Sequence, residues 1–240
     1  MKNQKIIFGF IVLSITLIFG FASCQQDEFN ESDSESYLKL SPNVDFSNLS
    51  KGDLEILSQA FFRLDIKENE DGLLEIKQKN GKEKNISKEL FDYIHLSIES
   101  SNKRILADIT FIRNSIITRE ESVNTNSSCV AYSIAYATGQ QFNDVNSWIT
   151  DNYGGNGVPS HEFYSVMNHF FDDGAQVPFT MFNDMDINGS DDNKYIIVIN
   201  ATHAVNVVAK SGSDIVYYDA QNNIHGICST YNVTHIYEIR

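Results

Sequence analysis

The chain has 240 residues, with 18 Lys and Arg against 32 Asp and Glu and a formal net charge of −14. Phosphate recognition needs clustered basic side chains, so this balance argues against a nucleic-acid partner. Sixteen Phe, eleven Tyr and only three Pro mark a globular chain, and three Cys are too few for a disulfide scaffold.

The first residues read as an address. Lys2 and Lys5 precede an uncharged apolar stretch from Ile6 to Phe21, which closes on Phe21-Ala22-Ser23-Cys24. The stretch is short for a membrane span and has the layout of a secretory signal. Small residues directly before a cysteine resemble the bacterial lipobox, which implies a signal peptide over 1–23 and a lipid on Cys24. An ordinary signal cleaved nearby, or an uncleaved anchor, is the alternative. Gln25 to Ser36 is acidic and serine-rich without a basic residue, so it cannot bury enough apolar surface to order itself. It reads as a tether over 24–44. Its position also resembles the surface-export signal of Bacteroidetes lipoproteins, which implies an outer-membrane anchor with the protein facing outward.

Roughly 200 residues remain, enough for one packed domain with or without a small appendage. Residues 45–121 read as a small N-terminal region of helix, hairpin and helix, a candidate prodomain or lid. Leu54, Leu57, Ala60, Phe61 and Leu64 recur at helical spacing after Ser50, which with Asp53 forms an incomplete capping box. Leu64 to Ile86 reads as a hairpin with turns at Asn69-Glu70-Asp71-Gly72 and Asn80-Gly81. Ser87 caps a second helix with Leu90, Ile94, Leu96 and Ile98 as its buried face, and Ser101 to Arg119 fits a helix better than a strand.

Residues 122–240 change character. Helices are expected from Ser128 to Thr138, stopped by Gly139, from Asn143 to Asn152, and after Pro159-Ser160 through Phe171. Strands are expected over Val177–Phe182, Tyr195–Asn200, His203–Ala209, Asp214–Tyr218 and Thr234–Ile239. Helices followed by antiparallel strands give an α+β fold with segregated layers.

Three residues in that half carry chemistry. Cys129 falls in the first turn of a predicted helix, where unpaired N–H groups and the positive dipole end favour a thiolate, the reactive form. His203 opens a strand whose one face holds Val205, Val207 and Ala209. Asp219 lies sixteen residues on, at the far end of a hairpin through Gly212, which returns it beside His203. Alone, Cys129 reads better as a small core residue than as a nucleophile, and a Cys129–Cys228 disulfide is a competing arrangement.

The order of these segments resembles the papain-like domain of bacteriocin-leader (C39-like) peptidases. The phrases Thr202-His203-Ala204-Val205-Asn206 and Tyr218-Asp219-Ala220-Gln221 are similar to those of papain-fold toxins and glutamine deamidases. The resemblance covers about Asn124 to Arg240. It implies a papain-like fold, with a helical layer carrying the cysteine packed on an antiparallel sheet carrying the histidine and aspartate. It further implies Cys129 as nucleophile, His203 as base and Asp219 as the residue that orients it. Where those families place a glutamine ahead of the cysteine, this chain offers Asn124 or Asn126 as the oxyanion donor, with the Cys129 N–H. The expectation is a surface-anchored, monomeric cysteine hydrolase acting on peptide or glutamine amide bonds, without cofactor or metal. A catalytically inactive binding module and a transglutaminase-like acyltransferase are the alternatives. Asp184, Asp186, Asn188, Asp191 and Asp192 do not reproduce a calcium loop, and His161, His169, His225 and His235 lack zinc spacing.

Overall fold

The computed structural model describes residues 36–118, 127–155, 157–189, 191 and 194–240. Tyr37–Arg240 form one compact unit. Packing begins inside the segment expected to be a tether: Leu38 and Leu40 are buried, and Leu38 bridges Ile86.

Helix α1 spans Lys51–Arg63. Ser50 accepts from the Asp53 N–H at 3.2 Å and donates its hydroxyl to the Asp53 carboxylate at 2.6 Å. The same carboxylate accepts the Ser41 N–H, so backbone and hydroxyl donors hold its pKa below the usual carboxylate value. Strands β1 (Ile66–Glu68) and β2 (Leu74–Ile76) form the expected antiparallel hairpin. The second expected turn, at Asn80-Gly81, is a 3-10 helix over Gly81–Lys84.

Helix α2 is a single element over Lys88–Thr118. Leu90, Phe91, Ile94 and Ile98 are buried, whereas Leu96, expected on that face, is 61% exposed. The buried stripe continues instead through Ser97 and Ser101, whose small side chains let the helix approach the sheet.

Helices α3 (Ser127–Thr138), α4 (Phe142–Tyr153) and α5 (Phe163–Phe170) follow the expected order. Gly139, at φ +72°, ends α3 in the left-handed conformation that glycine adopts without strain. The strand expected over Val177–Phe182 is absent. Pro178 has no N–H for a ladder and instead precedes helix α6 (Phe179–Asp184), while the pairing falls to β3, Gly174–Gln176.

The remaining strands are β4 (Lys194–Ile199), β5 (His203–Ser211), β6 (Asp214–Asp219), β7 (Ile224–Ser229) and β8 (Val233–Ile239). With β3 they form a six-stranded sheet in the order β3-β8-β4-β5-β6-β7, every pair antiparallel. The fold is α+β. Alternation along β4 divides the core: Ile196 and Val198 pack with α3, α4 and α5, while Tyr195, Ile197 and Ile199 pack with Phe182 on the opposite side. A third cluster joins Leu57 and Phe61 of α1 and Leu90 and Ile94 of α2 to Val208, Val216 and Tyr218. Residues on both sides of the expected 121/122 boundary therefore share a core. A register shift between Val207 and Ala209 turns Ala209 away from the face expected for it and into this third cluster.

Candidate active site

Helix α3 presents Cys129 as its third residue, with no measurable exposure. Its N–H belongs to the helical first turn, where backbone donors lack intrahelical partners. The sulfur lies against the head of β5 and accepts the Ala204 N–H at 3.4 Å.

His203 is delivered by a tight turn. The Thr202 N–H bonds Ile199 O at 3.0 Å around Asn200 and Ala201, both left-handed at φ +52° and +57°. For alanine that conformation costs about 1 kcal/mol. It is held from outside: the Asn200 N–H donates to Asn232 O at 2.7 Å, and Ser229 and Asn232 close a capping box of their own.

The hairpin through Gly212 brings Asp219 back to this point. His203 Nε2–H donates to Asp219 Oδ2 at 2.8 Å, with both side chains buried. The other carboxylate oxygen accepts the Gln221 and Asn222 N–H groups at 3.1 and 3.2 Å, and Asn222 Nδ2 donates to Oδ2 at 2.8 Å. Burial alone would raise the Asp219 pKa, but the His203 bond and charge and the Asn222 donors outweigh it and hold the group ionised below the usual value. Burial likewise disfavours the His203 imidazolium. Hydrogen bonds to Asp219 and to Cys129 overcome it and raise His203 to about 9. With Nε2 committed to the carboxylate, Nδ1 is the nitrogen left for the sulfur.

The structure thus brings Cys129, His203 and Asp219 into one buried chain of contacts. Asn124 and Asn126, named for the oxyanion, lie outside the described residues, as do Cys24 and Asp192. Cys129 and Cys228 are both free thiols, and burial pushes Cys228 up to about 12. Sequence reasoning missed Asn222, which braces Asp219, and Ser133 and Asn206, which tie α3 to β5. An Asp followed by polar residues past a strand end is the turn signal that could have flagged Asn222.

The other polar candidates have structural partners. Lys210, buried, donates to Asn183 O at 3.0 Å and to Met185 O, pinning the backbone just before Asp186. Asp191 accepts the Asn188 N–H and Asp186 the Gly212 N–H. His169 stacks on Trp148 at 3.8 Å, His225 bonds the Tyr93 hydroxyl at 2.8 Å, and His235 lies between Phe163 and Tyr164. Among the described residues no group of three His, Cys, Asp or Glu is placed to hold a metal, and no helix is long and apolar enough to cross a membrane. A cavity of about 500 Å³, lined by Ile105, Ile199, Ala201, Tyr217 and Cys228, borders the Asn200–Ala201 turn but has no triad side chain in its lining. Compared with protein-family models, curated proteins and solved structures, the chain matches none of them.

Proposed function

We propose that the chain is a papain-like cysteine hydrolase that cleaves amide bonds, in peptides or in glutamine side chains, while anchored to the outer membrane through a lipid on Cys24. The observation that carries this reading is the buried cluster in which His203 bonds Asp219 at 2.8 Å and the Cys129 sulfur sits at the head of the same strand, on the Ala204 N–H at 3.4 Å. The Cys129 thiolate adds to the amide carbonyl carbon, and the electron pair of the C=O bond moves to oxygen. The Cys129 N–H at the start of α3 stabilises that oxyanion. As the tetrahedral centre collapses, His203 gives its Nδ1 proton to the departing nitrogen, leaving a thioester. Neutral His203 then takes a proton from water as the water attacks the thioester. Collapse releases the acid and restores the thiolate and imidazolium. Asp219 stays ionised throughout and keeps the Nε2–H tautomer in place.

A second reading, a binding module on the same scaffold, draws on the burial of the Cys129 side chain. Alkylation by an iodoacetamide probe separates the two. Activation predicts that Cys129 labels faster than a free model thiol and that His203→Ala abolishes the excess. Labelling at the model-thiol rate, indifferent to His203→Ala, overturns the hydrolase.

A further inference from the structure

Helix α3 is fastened to β5 by polar side chains that the reaction itself does not use. Ser133 stands four residues after Cys129, one turn along the same face of the helix. Its hydroxyl, buried, donates to Ala204 O at 3.0 Å. Asn206, on the same face of β5 two residues beyond Ala204, is 5% exposed and donates Nδ2–H to Ser133 O at 3.1 Å. Together with the Ala204 N–H on the Cys129 sulfur, three successive contacts join the helix to the strand that carries His203.

The Asn206 bond is not explained by folding alone. Asn206 Oδ1 is buried with no hydrogen-bond partner. A buried acceptor without a donor is destabilising, and a leucine of similar size avoids that cost. Ser133 O lies within the body of α3, where a helical carbonyl already has the N–H four residues on as its donor. The amide therefore supplies a bond that the helix does not need for its own integrity. The bond instead joins α3 to β5. The sulfur and the imidazole sit on those two elements, and displacement of one reactive group by 1 Å costs on the order of a hundredfold in rate.

We propose that Ser133 and Asn206 are positioning residues, which hold the Cys129 sulfur at the imidazole of His203 by fixing helix α3 on strand β5. The inference rests on the hydrolase reading, in which that distance governs reactivity. It assigns neither residue a contact with substrate.

The test uses the full chain and two readouts, the rate of Cys129 alkylation at pH 7 and the NMR titration of His203. Asn206→Leu is expected to slow alkylation about tenfold. It should also move the His203 midpoint from about 9 toward 6.5, because the sulfur no longer supports the imidazolium, while the urea midpoint stays at the wild-type value. Ser133→Ala should act in the same direction, and Ser133→Thr, which keeps the hydroxyl, should restore the wild-type titration. Wild-type rates and titrations in both Asn206→Leu and Ser133→Ala overturn the proposal, as does a loss that only follows unfolding. Failure of the hydrolase reading has a different signature, a wild-type Cys129 no more reactive than a model thiol. The His203 titration reports the positioning in either event.

Discussion

Replacing Asp219 by Asn removes one charge from the contact chain and leaves its shape. Asp219 Oδ2 accepts His203 Nε2–H at 2.8 Å, and the pair is nine-tenths or more buried. His203 at about 9 against 6.5 corresponds to roughly 3 kcal/mol in favour of the imidazolium, after burial has worked against it. Asp219 and Cys129 share that support, so the variant is expected to lose about 2 kcal/mol of it and the His203 midpoint to fall by about 1.5 units. An asparagine can also turn its NH₂ toward Nε2 and stabilise the tautomer with a proton on Nδ1, which leaves the sulfur facing a donor instead of a base. On the proposed hydrolase reading both effects weaken Cys129 as a nucleophile, and amide hydrolysis should drop by about a hundredfold or more. The signs for stability follow from the two shifts. His203, raised in the fold, contributes stability fully present below pH 6.5 and lost as pH rises through about 9. Asp219, lowered in the fold, contributes stability present above pH 3.8 and lost as pH falls through its folded value. Urea unfolding should therefore show Asp219→Asn weakest relative to wild type near pH 6, with the gap narrowing above pH 9. A His203 midpoint unchanged in the variant, together with a pH-independent urea gap, refutes the assignment of Asp219 as the support of the imidazolium.

Two further outcomes test the surrounding structure. Burial holds His225 neutral and lowers it to about 3, so between that value and 6.5 the unfolded chain binds a proton that the fold refuses. Stability should then fall by about 2 kcal/mol from pH 7 to pH 5. His225→Asn, which keeps an acceptor for the Tyr93 hydroxyl, should flatten that slope, and identical urea slopes in variant and wild type would contradict the reasoning. Lys210→Met removes the ammonium that binds Asn183 O and Met185 O. The loss should be about 2–4 kcal/mol in urea unfolding, and a loss below about 0.5 kcal/mol would show that these bonds are surface-like.

Those side chains also mark where residue types stop reporting on the fold. The helices of the second half were legible because apolar spacing and the Gly139 stop mark them, although α5 begins only at Phe163, after a 3-10 turn over Ser160–Glu162. Strand β7 was not, because Ile224-His225-Gly226-Ile227-Cys228 has no polar alternation to read. The strand is wrapped on both sides, with His225 bonded to Tyr93 of α2 and Gly226 leaving room for the Tyr217 ring, 2.5 Å from where a Cβ would sit. Val177 to Phe182 failed in the other direction. Its aromatic and β-branched residues favour a strand in isolation, but the unpaired side of β8 is met by Gly174–Gln176, where Gly174 admits the Tyr237 ring.

At the candidate site the same division separates side chains from backbone. Cys129, His203 and Asp219 could be named because nucleophile, base and carboxylate are residue types, and the hairpin arithmetic places two of them together. The groups that set their geometry are mostly not of that kind. The sulfur is met by the N–H of Ala204, a residue whose side chain says nothing of the role. Asn206 alternates with apolar neighbours and so reads as solvent-facing, yet α3 covers it. The left-handed Ala201 gives no sequence signal either, and the bond from the Asn200 N–H to Asn232 O shows why the turn persists. Strand β5 supplies both His203 and the sulfur's N–H donor through consecutive residues. Any displacement of the Asn200–Ala201 turn moves His203 and the Ala204 N–H together, so the turn and its Asn232 anchor govern the imidazole and the sulfur's donor as a unit.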